Sequence, residues 1–413
     1  MHRVLIHNLS SKYISVSPEL FNFDQNAIFF AETGDIVVVR AESDYEYLNY
    51  LRDIGVVPDD IHFVVSQTPS STFSIFEDAS IIQKIQRYTS GNEKEWVLDA
   101  YMYTQCEHDF AQRLGIVSFG NPRHYYQFGT KSGFRTFAKT QGVQIPRGRG
   151  GLSDGVSVGL SAAWLYLRGA RAVVVKQDEG LAGRSLMRLE KDTFLAKVRA
   201  MDFKSLLPSL GVVPVISDGF VVEEWYQDVV SAPSIEFYIS EGGVVSFSSM
   251  HEQIFFADGI TYRGCRSYQW LPIAIQESVQ SKGCILAEAL AREGVRGPVA
   301  FDAIVRESGE VLFVEANVRR IMSSYAHAIA RRISGQNEET VPYISLRVKK
   351  AEWKGKTMDD VIQASGESLY TRTRGRGIIP YDIGMLSSQG SLSLLCVGNT
   401  LSEVEDLYQR YTT

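Results

Sequence analysis

The first part of the chain alternates short apolar runs with segments of helical spacing. The runs predicted to be strands are Val4–Ile6, Ile36–Val39 and His62–Val65. A helix is predicted from Ser43, because Ser43 and Glu46 form a capping-box pattern and Gly55 lies where a C-terminal glycine cap belongs. This alternation predicts a small α/β domain with a parallel sheet, ending near Gly120.

The middle of the chain begins with helical spacing and then changes to strands and hairpins. One helix is predicted around Phe134, Phe137 and Ala138, and another with an apolar stripe of Leu160, Ala163, Trp164 and Leu167. The later predicted strands are Ala172–Val175, Phe220–Val222, Ile235–Ile239, Val244–Phe247, Val299–Val305 and Val311–Val314. A long helix near 275–293 and an α+β end that closes with a helix at Ser402–Tyr411 complete the prediction.

The last two of these strands flank Ser308-Gly309, a signal for a two-residue hairpin turn. The facing pairs that this turn predicts are Asp302 with Glu315, Ile304 with Phe313, and Ala300 with Asn317. The other face is predicted to be core and consists of Phe301, Ala303, Val305, Leu312, Val314 and Ala316. The alternation of side chains along a strand therefore brings Asp302, Glu315 and Asn317 to one surface.

Two carboxylates directly opposite each other in a sheet repel. A shared cation explains Asp302 and Glu315 beside the amide of Asn317, and hard oxygen ligands of this kind suit Mg²⁺. Arg319 continues the same direction and can pair with a substrate carboxylate or phosphate. The alternative is a solvated acidic sheet edge that Arg319 neutralises.

Two further segments are compatible with nucleotide binding. Lys176 ends an apolar strand and precedes a loop that contains Gly180, Gly183 and Ser185, whose backbone N–H groups suit phosphate oxygens. A plain turn with a surface lysine is the alternative. The strand from Phe220 continues into Glu223, Glu224 and Trp225. These residues are candidates to bind the adenine and ribose of a nucleotide, and the alternative is an ordinary strand end.

Composition narrows the class of protein. The 413 residues suffice for two or three domains, and the net charge of −6 argues against electrostatic binding of nucleic acid or membrane. The sequence has no apolar run of transmembrane length and no signal-peptide pattern, so a cytoplasmic location is expected.

Taken in this order, the motifs over about residues 125–330 resemble the ATP-grasp superfamily, with Glu315-x-Asn317-x-Arg319 as the specific part. The resemblance implies that ATP is bound by Lys131, Lys176, Gly180, Gly183, Ser185, Glu223, Glu224 and Trp225. It also implies that Mg²⁺ is bound by Asp302, Glu315 and Asn317, and that Arg319 anchors the carboxylate that is activated. Many relatives have Glu where this chain has Asp302, and the loop holds fewer glycines than many.

Three further arginines are candidates for the same site. Arg263 is a candidate for the triphosphate or acyl phosphate and Arg266 for the substrate, on a predicted loop where a surface role is equally compatible. Arg320 is the weaker alternative to Arg319 for the substrate role. Side chains alternate along an extended chain, so Arg319 and not Arg320 points to the same side as Asn317. His251 and His327 are predicted to be structural.

The resemblance implies three regions: a preceding α/β domain at 1–124, an ATP-grasp small subdomain at 125–222, and a large subdomain with a C-terminal α+β extension at 223–413. The extension resembles that of pheganomycin-type peptide ligases and of butirosin-type ligases, which load an amino acid onto an acyl-carrier protein. Homodimers are common in this superfamily, although nothing in the sequence requires one.

The activity implied is that of an ADP-forming ligase which activates an amino-acid or peptide carboxylate as an acyl phosphate and passes it to an amine, in natural-product biosynthesis. Transfer to the thiol of an acyl-carrier protein is the first alternative. A non-catalytic nucleotide-binding protein and a kinase are the others.

Overall fold

The computed structural model describes residues 1–8, 23–66, 75–179, 186–199, 219–335 and 339–412. The strands are β1 (His2–Ile6), β2 (Ile36–Val39), β3 (His62–Val65), β4 (Trp96–Ala100), β5 (Val117–Ser118), β6 (Gly148–Leu152), β7 (Ala172–Gln177), β8 (Leu186–Glu190), β9 (Phe220–Trp225), β10 (Val229–Ser231), β11 (Pro233–Ile239), β12 (Val245–Phe255), β13 (Tyr262–Ser267), β14 (Gly297–Arg306), β15 (Val311–Asn317), β16 (Tyr343–Lys349), β17 (Gly377–Tyr381) and β18 (Ser391–Val397). The α-helices are α1 (Tyr45–Asp53), α2 (Ala79–Thr89), α3 (Gln105–Leu114), α4 (Pro122–Phe128), α5 (Lys131–Thr140), α6 (Gly155–Leu167), α7 (Lys191–Arg199), α8 (Ile273–Arg292), α9 (Met322–Ser334), α10 (Met358–Ser365), α11 (Leu386–Gln389) and α12 (Leu401–Thr412). Within these ranges, every helix is too short or too polar to cross a bilayer.

Contacts divide the chain into two compact units. The first consists of Met1–Pro122, Gly264–Trp270 and Arg319–Thr413, and the second of Arg123–Arg263 and Leu271–Val318. The three regions expected from the sequence, with boundaries at 124/125 and 222/223, stay a prediction.

A parallel sheet of order β3-β2-β1-β4-β5 begins the first unit, as predicted. The apolar residues of the central strands β1, β2 and β4 are buried on both faces, with β1 pairing β2 on one side and β4 on the other. The expected helix start differs by one residue, since Asp44 rather than Ser43 precedes α1 and makes no side-chain cap there. Gly55 follows α1 with φ of 72°, in the left-handed region that favours glycine.

The C-terminal part of the first unit is α+β, as predicted. β16, β18 and β17 are antiparallel neighbours, and residues 264–266 of β13 pair with β16. The closing helix α12 packs against β16 and β18.

An antiparallel sheet of order β6-β9-β7-β8 begins the second unit, and α6 packs against it. The predicted stripe of α6 is wrong for Leu160 and Leu167, which are 65% and 88% exposed. Its other two residues, Ala163 and Trp164, are partly buried against the core, and the fully buried face carries Val158, Ala162 and Leu165. Both stripes have helical spacing in an almost wholly apolar helix. Only packing against the sheet selects one of them.

The other sheet of the second unit contains β10, β14, β11 and β12, and β15 pairs with β14. Helix α8 covers its apolar face, where a Cβ on Gly283 would meet the Phe237 ring at 3.0 Å and Ile235 Cγ2 at 3.2 Å. On the same face Phe134 of α5 lies 6.4 Å from Phe301, between ring centroids.

The hairpin of β14 and β15 departs from the prediction at two places that compensate each other. Its loop has three residues, Glu307-Ser308-Gly309, closed by a 3.0 Å hydrogen bond from Arg306 N to Glu310 O, with Gly309 at φ 82°. The pairing then slips by one at a bulge, where Val314 is the extra residue. The predicted pairing of Ile304 with Phe313 is therefore wrong, because Ala303 faces Phe313 and Phe313 joins the core. Beyond the bulge the predicted register returns.

Candidate active site

Asp302, Glu315 and Asn317 share one face of the hairpin, as predicted. Asp302 is directly opposite Glu315, and Ala300 is directly opposite Asn317. Asn317 Nδ2 donates a 3.1 Å hydrogen bond to Asp302 Oδ2, and Asn317 is buried. Rotation of the Asn317 amide by 180° about its Cβ–Cγ bond would exchange Nδ2 and Oδ1. Oδ1 would then lie beside the Asp302 carboxylate, where a cation could be bound by both oxygens.

Lys131, the first residue of α5, reaches this acidic face. Its Nζ lies 3.4 Å from Glu315 Oε2, and its side chain is only 6% exposed. Asp178, at the end of β7, holds the start of α5. Its backbone carbonyl accepts from Lys131 N at 3.1 Å and its Oδ1 accepts from Ser132 N at 2.6 Å. The helix start and the strand end therefore position the lysine together.

Lys176 and Glu223 form a second charged cluster, which also includes a residue that sequence reasoning missed. Lys176 Nζ lies 2.6 Å from Glu223 Oε2, and Arg135 Nη1 donates to Glu223 Oε1. All three side chains are buried. Arg135 follows Lys131 by four residues on α5, so the spacing of neighbours on a helix face was the signal that could have revealed it.

The predicted hinge residues lie within strand β9, so the strand continues to Trp225. Glu224 accepts two hydrogen bonds from Arg147, at 2.6 and 2.8 Å, and this bonding raises the pKa of Arg147. Trp225 is half-buried with the Arg188 guanidinium 5.3 Å from its ring centroid. The adenine-binding role of these residues stays a prediction. Gly180, Gly183 and Ser185 lie outside the described residues.

The donors on the hairpin fit Mg²⁺ in kind. Two carboxylates and one amide converge on one surface, whereas no group of three or more His, Cys, Asp or Glu suited to a metal occurs in the described ranges. Mg²⁺ is held by few protein oxygens and takes its remaining ligands from water and phosphate, so a set limited to two acids matches it. The assignment of Asp302, Glu315 and Asn317 to metal remains a prediction.

Arg319 and Arg320 belong to the first unit and have different partners there. Arg319 Nη1 donates to the Tyr101 hydroxyl at 3.1 Å and to the Arg320 carbonyl at 2.8 Å. Arg320 makes a buried two-point ion pair with Asp99, at 2.6 and 3.1 Å. Burial would raise the pKa of Asp99, but Arg320 and the neighbouring His7 outweigh it and hold that pKa below its usual range. Arg320 thus has a structural carboxylate partner, which favours Arg319 as the substrate arginine.

Arg263 and Arg266 lie in strand β13, not in the loop expected from the sequence. The Arg263 guanidinium is 5.5 Å from the ring centroid of Phe256. Arg266 lies 3.6 Å from the Glu405 carboxylate of α12. Residues three apart on a strand point to opposite faces, so the two arginines do not serve one surface through this strand.

The two histidines are in the elements predicted for them. His251 is fully buried in β12. His327 is on α9, and its pKa is lowered to about 4 by burial and by the nearby charge of Arg331.

Comparisons with known proteins agree with this architecture. A family model described as the pre-ATP-grasp domain matches residues 24–116. The L-propargylglycine–L-glutamate ligase of Streptantibioticus cattleyicolor is 23% identical over 469 aligned residues, which cover 99% of this chain and 92% of that enzyme.

Solved structures match over the whole chain. The biotin carboxylase domain of the Hydrogenobacter thermophilus 2-oxoglutarate carboxylase, solved as a dimer with MgADP and bicarbonate, superposes with a TM-score of 0.60 at 12% identity. That superposition covers 99% of this chain and 89% of the domain. The carboxyaminoimidazole ribonucleotide synthase of Aspergillus clavatus, solved with ATP, also gives 0.60 at 12% identity, with 100% and 97% covered. The resemblance seen in the sequence is thereby confirmed: the chain has the ATP-grasp fold and contains a pre-ATP-grasp domain.

Proposed function

We propose that this chain is an ATP-dependent, ADP-forming ligase that joins the carboxylate of an amino acid or peptide to an amine. The observation that carries this proposal is the 3.4 Å approach of Lys131 Nζ to Glu315 Oε2, on the face that also presents Asp302 and Asn317. A phosphate-binding cation and a candidate metal site are thus adjacent, which is what transfer of a phosphoryl group from ATP requires.

Around the candidate site of the second unit, three basic side chains are balanced by three carboxylates, and this balance suits the binding of a metal–nucleotide complex. Lys131, Arg135 and Lys176 are balanced by the carboxylates of Glu223, Asp302 and Glu315. A fully ionised triphosphate accompanied by two divalent ions adds no net charge to this cluster. The lysines can then exchange carboxylate partners for phosphate oxygens without leaving a buried charge unpaired.

The reaction proceeds in two displacements. A substrate carboxylate oxygen attacks the γ-phosphorus of ATP, the bond to the bridging oxygen breaks, and ADP leaves with the electron pair. An amine then attacks the acyl carbon, loses a proton, and displaces inorganic phosphate. Lys131 and Lys176 stabilise the charge that accumulates on phosphate oxygens in the first step.

Asp302, Glu315 and Asn317 would hold Mg²⁺, which when bound neutralises the β- and γ-phosphates. The proposal also retains the backbone amides of residues 180–185 as phosphate donors and Glu223–Trp225 as the adenine site. Arg319 is proposed to anchor the carboxylate and Arg263 to bind the phosphate. The substrate role of Arg266, which faces the other side of β13 and lies 3.6 Å from Glu405, stays a prediction from the sequence.

The similarity to L-propargylglycine–L-glutamate ligase supports amino acids as both substrates. Propargylglycine is not one of the amino acids of proteins, which supports a role in natural-product biosynthesis. A homodimer and a cytoplasmic location are part of the proposal only as expectations from the superfamily and the sequence.

The test is a panel of amino acids and dipeptides, supplied with ATP and Mg²⁺, with and without added amines. ADP and phosphate release that requires both an acid and an amine, together with an amide product by mass spectrometry, supports the proposal. Release with a phosphorylated product and no amide would indicate a kinase.

A parallel incubation with an acyl-carrier protein separates the thioester alternative, because loading of the phosphopantetheine thiol increases the carrier's mass. Absence of ADP formation with every acid, in a preparation that binds ATP, would contradict ligase activity altogether.

A further inference from the structure

The face of the sheet that carries Asp302 and Glu315 continues over two more strands. Asp302 on β14 is directly opposite Ser234 on β11, which is directly opposite His251 on β12. Two residues along, Ala300 is directly opposite Glu236, which is directly opposite Ser249. Directly opposite residues share a face, so the polar floor, defined as Ser234, Glu236, Ser249 and His251, is continuous with the candidate metal site.

The opposite face confirms this assignment of sides. Ile235 and Phe237 alternate with the polar residues along β11, and they pack against Gly283 of α8. Gln253, two residues beyond His251, reaches across β11 to Asp302, with Nε2 3.5 Å from Oδ1. Side chains of β12 on the polar side are therefore directed toward the same surface as Asp302.

The polar floor is buried and contains hydroxyl groups without a partner. Each of its four residues is at most 5% exposed. The Ser234 and Ser249 hydroxyl oxygens are buried and, within the described structure, make no hydrogen bond. Buried hydroxyls are normally bonded, so two on one face, flanking a buried carboxylate, indicate a site that is completed by a bound group.

We infer that the polar floor binds the α-ammonium group of an amino acid whose carboxylate is activated beside Asp302 and Glu315. This inference rests on the proposed ligase function and narrows its acid substrate to free α-amino acids. Glu236 supplies the opposite charge, and Ser234 and Ser249 supply neutral oxygen acceptors. An ammonium group has three N–H donors and no acceptor, which matches this set.

The spacing of the sheet agrees with such a substrate. Neighbouring strands lie about 4.8 Å apart, and residues two apart on a strand are separated by roughly 7 Å. Glu236 is therefore one strand across and two residues along from Asp302. In an α-amino acid the ammonium and carboxyl groups are on one carbon, so both can lie over this surface at once. A peptide carries its ammonium group at least one residue further from the carboxylate that reacts.

The test measures discrimination between charged and uncharged substrates. Hydroxylamine, largely uncharged at neutral pH, serves as the nucleophile. The ATP-dependent hydroxamate is measured for each of the twenty amino acids and propargylglycine, for their N-acetyl derivatives and for dipeptides. Wild-type protein is expected to prefer the free amino acid. Glu236→Gln should lower kcat/KM for the amino acid about 10- to 100-fold and leave the N-acetyl derivative within about twofold, since the carboxylate charge that pairs with the ammonium group is lost.

Two controls keep the result interpretable. Glu307→Gln makes the same change at an exposed loop residue of the second unit and should preserve the preference. If Glu236→Gln fails to fold, Ser249→Ala provides the second test. Its control is Ser246→Ala, the same substitution at an exposed position of the same strand. Ser249→Ala should reduce the preference several-fold.

The outcomes separate the two proposals. No hydroxamate from any acid with the wild-type protein would overturn the ligase function itself. Hydroxamate with equal or better use of N-acetyl derivatives or peptides would overturn the ammonium site alone, as would an unchanged preference in the Glu236 and Ser249 variants. An equal loss for both substrates would mean that Glu236 is structural.

Discussion

Lys131 Nζ lies 3.4 Å from Glu315 Oε2, although the lysine begins a helix and the glutamate belongs to a hairpin late in the chain. Glu315 is itself directly opposite Asp302. The ammonium group of Lys131 provides the compensating charge for one of the two opposed acids. This relationship makes the acidic pair tolerable and places a cation where phosphate is expected.

Glu315→Ala should abolish ATP turnover while the fold survives. The side chain is 23% exposed, so the fold should survive, but buried Lys131 loses its acidic neighbour and the midpoint of thermal unfolding should fall. ADP formation with the best acid and amine is the measurement. Glu307→Ala, at the exposed tip of the same hairpin, is the matched control, and turnover that survives in Glu315→Ala would remove the metal assignment.

Lys176→Ala should weaken nucleotide binding. Lys176 and Arg135 share Glu223, so loss of the lysine leaves the carboxylate paired while one phosphate contact disappears. We expect about a 10-fold or larger increase in Kd for a slowly hydrolysed ATP analogue, measured by calorimetry. Exposed Lys139→Ala is the control, and an unchanged Kd would contradict the role of Lys176.

Asp99→Asn should destabilise the first unit by about 3–5 kcal/mol, because it leaves buried Arg320 without its charge partner. Since Arg320 and His7 depress the pKa of Asp99 against the effect of burial, its contribution is complete above the ordinary aspartate pKa. The contribution is lost as the pH falls through the lowered folded value. Urea unfolding at neutral pH and in acid is the measurement, with exposed Asp60→Asn as control; equal stability of variant and wild type would refute this account.

Glu107→Gln should flatten the pH dependence of stability of the first unit. Burial raises the pKa of Glu107 to about 7, although hydrogen bonds from Thr104 lower it. The folded state therefore holds a proton that the unfolded chain releases, and stability falls as the pH rises from the ordinary glutamate range to about 7. The wild type should lose on the order of 2–3 kcal/mol over this window, and the variant much less. Unfolding midpoints from pH 5 to 8 test this against exposed Glu95→Gln, and parallel curves for wild type and Glu107→Gln would contradict it.

The sequence by itself determined the parts of the fold that depend on local pattern. The strands that were predicted from period-two alternation or continuous apolar runs lie within a few residues of their observed bounds, because their signal is contained in a short window. The strands β4 and β13 are among those that were missed. The pairing of Asp302 with Glu315 was also predicted, although through a two-residue turn where the chain forms a three-residue loop. The Val314 bulge restored the register, so two local departures cancelled at the site.

The tertiary structure decided what depends on which surfaces meet. The buried stripe of α6 was set by the sheet against which it packs, since Val158 and Leu160 are equally apolar. Arg135 joined Glu223, and Arg320 paired with Asp99, through contacts between residues far apart in sequence. The polar floor required β11 and β12 to be in register, and its continuity with the metal site also required β14 and β15. Such arrangements follow from long-range packing, which no short stretch of residues encodes.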